Sequence, residues 1–109
     1  MHIQSSINMK TTSHDELAEI LSLTITVTND GTQYRNSDGQ LHRVHGPAVI
    51  SSRGGEGWYQ NGKRHRIDGP AVIYPSGDQY WFINDRLLTH REFDRIKWFL
   101  LHDRIIKGQ

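Results

Sequence analysis

Cysteine is absent from this sequence of 109 residues. Its absence excludes disulfide bonds, thiolate nucleophiles and cysteine-rich zinc sites, and it is consistent with a reducing compartment. Long apolar runs are absent as well: the longest, residues 98–101, is far too short to cross a bilayer, and residues 1–10 contain no apolar stretch of signal-peptide length. We therefore expect a soluble, cytoplasmic protein without transmembrane insertion.

A strong net charge is also lacking, since the formal charge at pH 7 is only +1. The overall electrostatic attraction expected of a nucleic-acid binder is therefore small. The charges are nevertheless unevenly placed: residues 1–40 have an excess of carboxylates, whereas residues 41–66 carry five basic side chains against one glutamate. This basic band is either a docking surface for an acidic partner or an ordinary solvated face.

The chain repeats itself at an interval of 23 residues. Residues 25–27, 48–50 and 71–73 are similar short runs rich in β-branched residues, and each is followed by a glycine four residues later. A His-Arg pair and a Gly-Pro-Ala sequence also return after the same interval. Such a pattern is typical of a short repeat array, a scaffold in which a few surface side chains choose the partner.

Turn residues separate the short runs. Pairs such as Asn61-Gly62 and Asp38-Gly39 supply the positive φ angles that hairpin turns need, so successive strands are expected to be antiparallel neighbours. The sequence predicts an antiparallel β-meander with about two strands per repeat.

Two capping boxes predict a helix at each end of the sheet. Ser13 with Glu16 opens a short helix, and Thr89 with Glu92 opens a longer one whose apolar residues cover much of its circumference. We expect the second helix to pack across one face and close the end of the array, with Trp98 in the core or in contact with another molecule. The predicted fold is mainly β with flanking helices (α+β), in a single domain of residues 1–109, comprising an N-terminal segment 1–23, a sheet 24–89 and a C-terminal helix 90–107.

Strand alternation distributes the aromatic side chains over both faces of this sheet. Trp81 points to one side while Tyr80 and Phe82 point to the other, and Trp58 and Tyr59 alternate in the same way. Because one helix covers one face, the second face is left for water or a partner, and exposed aromatic side chains there favour a partner.

Three histidines, His42, His45 and His65, are the only candidates for a metal site, because imidazole is a common zinc or nickel ligand. A residue type that returns at each repeat is better explained by a structural task. We expect these histidines to donate a hydrogen bond to a nearby carbonyl or carboxylate and so fix the turn before Gly-Pro. No metal and no other cofactor is predicted.

Catalysis requires a nucleophile with its base, or two tuned acids, in one cleft, and neither arrangement stands out in this sequence. The glycines recur at the hairpin interval and do not open a helix, which argues against a phosphate-binding loop. We do not expect an enzyme.

The segment from Trp58 to Ile73 resembles a tandem repeat found in bacteriophage-encoded and some bacterial proteins, a variant of the MORN repeat. The likeness extends over about residues 24–93 and rests on the repeat length, the aromatic strand, the Asn-Gly turn and the glycine that follows. It implies an elongated β-meander that serves as a docking surface for proteins or lipids. The first repeat departs from the pattern, because His45 replaces the aspartate found at Asp68 and Arg35 replaces the tryptophan found at Trp58.

These features favour a non-enzymatic protein-binding module, encoded by a bacteriophage. Its expected partner is a host or viral protein that has an acidic surface and whose activity it modulates. Inhibition of a host nuclease or defence complex is the specific version. Binding of single-stranded nucleic acid or anionic lipid, and a structural role in a virion, remain alternatives. Homodimerisation is compatible with each of them. The predicted contacts are the basic and aromatic side chains of the central repeats, namely Arg43, Trp58, Tyr59, Lys63, Arg64 and Arg66.

Overall fold

A computed structural model describes the backbone of residues 14–107 and the side chains of residues 14–102. This part of the chain forms two helices, α1 (His14–Ser22) and α2 (His90–Lys107), and nine strands. The strands are β1 (Thr24–Thr28), β2 (Gly31–Arg35), β3 (Val49–Ser51), β4 (Glu56–Gly57), β5 (Tyr59–Gln60), β6 (Lys63–Arg64), β7 (Val72–Ile73), β8 (Gln79–Ile83) and β9 (Arg86–Leu88). The prediction of a mainly β fold with one helix before the strands and one after them is confirmed.

Seven of the described strands form one antiparallel sheet in the order β1-β2-β3-β4-β7-β8-β9, and β5 and β6 form a separate hairpin. The prediction that successive strands are always neighbours is wrong at one place. Strand β4 pairs with β7 because β5 and β6, which lie between them in the chain, form their own two-stranded hairpin. The Trp58 N–H still donates to the Ala71 carbonyl at 2.6 Å, while its own carbonyl accepts from His65 N–H at 2.9 Å.

The tight turns have the backbone angles that their residues predict. Asn61 and Gly62 have φ angles of 51° and 82°, and Asn84 and Asp85 have φ angles of 48° and 69°. Two successive positive φ angles are characteristic of two-residue hairpin turns, whose twist matches that of the flanking strands.

Helix α2 begins at the predicted capping box. The Thr89 N–H donates to the Glu92 carboxylate at 2.9 Å, and the Glu92 N–H donates to the Thr89 hydroxyl at 3.1 Å. The hydrogen bond from the Thr89 N–H to the carboxylate is the largest cause that lowers the pKa of Glu92, and the Thr89 side chain adds to it. A capping box was also predicted for α1. Its first residue, Ser13, lies outside the described residues, so this remains a prediction.

Helix α2 makes its main contacts with the sheet at its last two strands, β8 and β9. His90 stacks on Trp81 with ring centroids 4.2 Å apart, and Phe93, which is 1% exposed, packs beside the same ring. We call this side of the sheet the helix face. The expectation that α2 packs across one face holds at β8 and β9, whereas Trp98 further along the helix is 54% exposed.

The core is small and lies along the middle of the sheet and under α2. Its buried apolar side chains within the described residues are Ala48, Ala71, Phe82, Leu88 and Phe93. The two alanines precede β3 and β7, where their backbone groups join neighbouring strands. With so little apolar burial, polar and cation–aromatic contacts take a large part in holding the loops.

Candidate functional site

Arg66 is held inside its own loop. Its guanidinium carbon lies 3.7 Å from the centroid of the Trp58 ring, its Nη1 donates to the Pro70 carbonyl at 3.0 Å, and its Nε donates to the Asp68 carboxylate at 2.8 Å. The missing side chain at Gly69 makes room for it, since a Cβ there would lie 2.9 Å from the guanidinium carbon. This predicted partner contact therefore has a structural role within the chain.

Arg43, 23 residues earlier, is held in the same manner but lacks one partner. Its guanidinium carbon lies 4.3 Å from the centroid of the Tyr34 ring, and its Nη1 donates to the Pro47 carbonyl at 3.2 Å. Its Nε is buried with no hydrogen-bond acceptor among the described residues. The reason is the residue at position 45, where histidine stands in place of the aspartate that serves Arg66.

His45 instead helps to dock helix α1. The Glu19 carboxylate accepts hydrogen bonds from Val44 N–H at 2.6 Å and His45 N–H at 3.0 Å, and lies 3.3 Å from His45 Nδ1. Burial acts to raise the pKa of Glu19, but the hydrogen bonds from the His45 and Val44 backbones and the His45 side chain together outweigh it, and the pKa lies below its ordinary value. An aspartate at position 45 would repel this carboxylate, so the departure from the repeat pattern creates the docking site of α1.

The other two histidines are hydrogen-bond acceptors. His42 Nδ1 accepts the Asn61 N–H at 2.9 Å, and His65 Nδ1 accepts the Asn84 N–H at 3.1 Å. The predicted structural task is thus present, but the predicted direction is wrong, because Nδ1 of each imidazole accepts a hydrogen bond from the backbone of the next turn and does not donate one. Nowhere in the described part of the chain do three or more potential ligands cluster as a metal site would require.

The acceptor role of His65 leads to a prediction for pH dependence. Burial lowers the pKa of the His65 imidazole below its ordinary value of 6.5, and protonation of Nδ1 would remove the acceptor of the Asn84 N–H. The unfolded chain then binds the proton more readily, so the stability contributed by His65 is complete above about pH 6.5 and is lost as the pH falls through the lower pKa of the folded state.

We expect His65→Asn, whose side-chain oxygen can replace Nδ1, to weaken this fall in stability between about pH 7 and 5. The measurement is urea unfolding of both proteins across that range. Equal pH dependence of the wild-type protein and the variant would contradict this role.

Arg64 and Lys63 lie on the β5–β6 hairpin. The Arg64 guanidinium carbon is 4.1 Å from the centroid of the Phe82 ring, and Arg64 donates from its backbone N–H and its Nε to the Asp85 carboxylate at 2.9 and 2.8 Å. These hydrogen bonds, the side-chain one first, lower the pKa of Asp85. The Arg64 side chain remains 40% exposed and Lys63 is exposed. Of the predicted basic contacts, these two are therefore the most accessible to a partner.

The side of the sheet opposite α2 carries an open surface that we call the tyrosine face. Tyr74 and Tyr80 meet edge to face with ring centroids 5.7 Å apart and are 53% and 41% exposed, and Leu87 beside them is 58% exposed. The face consists of Tyr59, Val72, Tyr74, Tyr80 and Leu87, and Arg64 and Phe82 complete a groove of about 320 Å³ in it.

A glycine in β4 shapes the middle of this face. A Cβ on Gly57 would lie 2.9 Å from Cε1 of Tyr59, so the tyrosine ring occupies space that a side chain at position 57 would need. Gly57 lies 23 residues from Tyr34 and from Tyr80, so the other repeats have tyrosine at this position. The Tyr59 ring fills the space beside Gly57.

The predicted contact residues are divided between the two faces. Tyr59 and Arg64 line the tyrosine face, whereas Trp58 is stacked with Arg66 on the helix face, as strand alternation requires. The sequence placed Tyr80 on the face opposite Trp81 but did not include Tyr74, Val72 or Leu87 in the site. Leu87 lies two residues after the Asn84-Asp85 turn and Tyr74 directly follows a short strand, so only the paired register shows that they share a surface.

Comparison of the chain with protein families, with curated proteins and with solved structures found no match. Within residues 14–107, neither helix is long and apolar enough to span a membrane.

Proposed function

We propose that this protein is a non-enzymatic protein-binding module that holds its partner on the tyrosine face. The observation that carries the proposal is the exposure of Tyr74, Tyr80 and Leu87 on a sheet surface that α2 leaves uncovered. Tyrosine is enriched among the residues that dominate binding energy at protein interfaces, because it offers a large contact area and a polar end at a small cost in conformational entropy. Contiguous apolar surface of this kind is otherwise unfavourable in water.

The charges around the tyrosine face favour a partner with acidic groups at the rim of its apolar patch. Arg64 lines the groove from the hairpin, and Lys63 precedes it on the same strand. Asp85 neutralises part of this charge, so we expect electrostatics to orient the partner while the apolar and aromatic contacts provide most of the affinity. The resemblance to phage repeat proteins supports the further proposal that the partner is a host protein whose activity is changed by binding.

Nucleic-acid binding receives less support from this geometry. One ring surface of Trp58 and one of Tyr34 are covered by Arg66 and Arg43, so these rings are not free platforms for stacked bases on that side.

A pair of leucine substitutions tests the proposal. We expect Leu87→Glu to reduce the retention of a stoichiometric partner from a nuclease-treated bacterial lysate by about tenfold or more, because it places a carboxylate in the apolar groove. Leu21→Glu makes the same chemical change on helix α1, where the leucine is 85% exposed, and should retain the partner. Equal retention by both variants would contradict binding at the tyrosine face.

A further inference from the structure

Strand β1 forms one edge of the sheet and is unusually open. It pairs with β2 on one side and with no other strand of the described residues, and all five of its residues are exposed. Its sequence, Thr-Ile-Thr-Val-Thr, contains no charge, proline or glycine, which are the usual protections of an edge strand against pairing with another chain. The opposite edge, β9, has three residues and carries Arg86.

The hydrogen bonds of β2 show which backbone groups of β1 are unpaired. The Tyr34 N–H donates to the Ala48 carbonyl at 2.8 Å, and the Tyr34 carbonyl accepts from His42 N–H at 3.0 Å, so the polar groups of Tyr34 face away from β1. The polar groups of its neighbour Gln33 therefore face β1. Gln33 lies opposite Thr26 in the register of the two strands.

It follows that Thr26 is paired with β2, while Ile25 and Val27 direct their N–H and C=O groups out of the sheet. Four strong hydrogen-bonding groups are thus aligned along an exposed edge. The Ile25 and Val27 side chains, 42% and 73% exposed, lie together on one face of the strand, and the three threonines lie on the other.

We propose that two copies of this chain pair through β1 in antiparallel orientation, with Thr26 on the two-fold axis. The strand is symmetric about Thr26: threonine stands two residues away on each side, and a β-branched apolar residue stands one residue away on each side. Antiparallel pairing about this residue therefore places threonine opposite threonine and Ile25 opposite Val27 of the partner subunit. Both kinds of cross-strand pair are favourable.

The outward backbone groups fit the same register. Ile25 and the partner subunit's Val27 exchange two N–H···O=C hydrogen bonds, and Val27 exchanges two with the partner subunit's Ile25. All four open groups of each edge are then satisfied. The threonine at the axis then forms the closer, non-hydrogen-bonded type of pair. A two-fold axis perpendicular to the sheet also places the two tyrosine faces on the same side of the joined sheet. This inference is independent of the proposed function and would hold if the tyrosine face bound nothing.

Charges introduced at Thr26 test both the dimer and its register, because the two copies of this residue face each other. We expect the wild-type protein to approach twice its chain mass of 12.6 kDa as its concentration rises from roughly 10 µM to 1 mM in sedimentation experiments. Thr26→Lys alone and Thr26→Glu alone should remain monomeric. An equimolar mixture of the two should recover the twofold rise in mass, because opposite charges then meet at the axis.

Val27→Pro provides a second test, because it removes an outward N–H without removing a hydrogen bond to β2. It should be monomeric, whereas the matched variant Val27→Thr, which keeps the N–H and the branched side chain, should dimerise. Circular dichroism and thermal unfolding confirm that the variants compared are folded. A wild-type protein that stays monomeric, a mixture of the Thr26 variants that does not associate, or a folded Val27→Pro that still dimerises would each overturn the proposal.

Discussion

Phe93→Ala is expected to lower the free energy of unfolding by about 3–5 kcal/mol and to release helix α2 from the sheet. Phe93 is 1% exposed and packs against Trp81, so its removal leaves a cavity at the point where α2 meets β8 and β9. Because small domains have a total stability of about 5–15 kcal/mol, this is a large fraction of the whole. Denaturant unfolding followed by circular dichroism measures the loss.

Phe99→Ala is the matched control on the same helix. Phe99 is 63% exposed, and its ring meets that of Trp98 edge to face with the centroids 5.9 Å apart. Trp98 is itself 54% exposed, so this contact is not part of the core. We expect the variant to lose less than about 1 kcal/mol. Similar losses in both variants would contradict this account, because they would show that the second half of α2 packs as tightly as the first.

Gly31→Ala should destabilise the fold by about 3 kcal/mol or more, through a clash between two main chains. Gly31 starts β2 with a φ of 139°, and a Cβ at this residue would overlap the carbonyl oxygen of Ile50 on β3. The backbone of Ile50 cannot withdraw without breaking its pairing with Thr32. Chemical unfolding of the variant and the wild-type protein measures the difference.

Gly77→Ala separates this clash from the effect of the backbone angle. Gly77 has a φ of 97°, but no atom lies within 4 Å of the Cβ that alanine would add. A side chain at positive φ costs about 1–2 kcal/mol by itself, so we expect Gly77→Ala to be the milder variant. The contrary order would mean that β2 and β3 are farther apart than the structure has them.

Features that depend on neighbouring residues could be predicted from the sequence. The positive φ angles at Asn61-Gly62 follow from turn chemistry, and the reciprocal hydrogen bonds of Thr89 and Glu92 follow from their spacing of three residues. The alternation that separates Trp81 from Tyr80 is also local, because a strand turns successive side chains to opposite faces.

Features that depend on distant residues could not be predicted in the same way. The direction of the His65 hydrogen bond is set by the Asn84 turn, 19 residues further on. The arginines of the basic band were expected to face a partner, but their environment includes aromatic rings and aspartates brought close by strand pairing. The face that α2 covers could not be predicted either, because apolar residues surround this helix and favour no single direction.

Histidine at position 45, where the next repeat has aspartate, illustrates both what the sequence could predict and what it could not. The sequence identified it as a departure from the repeat pattern. The structure adds the consequence, since Arg43 Nε loses its acceptor while Glu19 of α1 gains a binding site. Comparison of one repeat with the next contains no information about Glu19, which lies 26 residues before His45.

Site-specific photo-crosslinking tests the central claim most directly, because it reports which face of the sheet touches the partner. A photoreactive phenylalanine derivative is placed at Tyr74 on the tyrosine face, and in a separate protein at Leu21 on α1, each an exposed position. If the tyrosine face is the binding surface, irradiation in a nuclease-treated bacterial lysate links the Tyr74 protein to one partner, and the Leu21 protein does not form that product. Crosslinks to the same partner from Leu21 and none from Tyr74 would contradict the account.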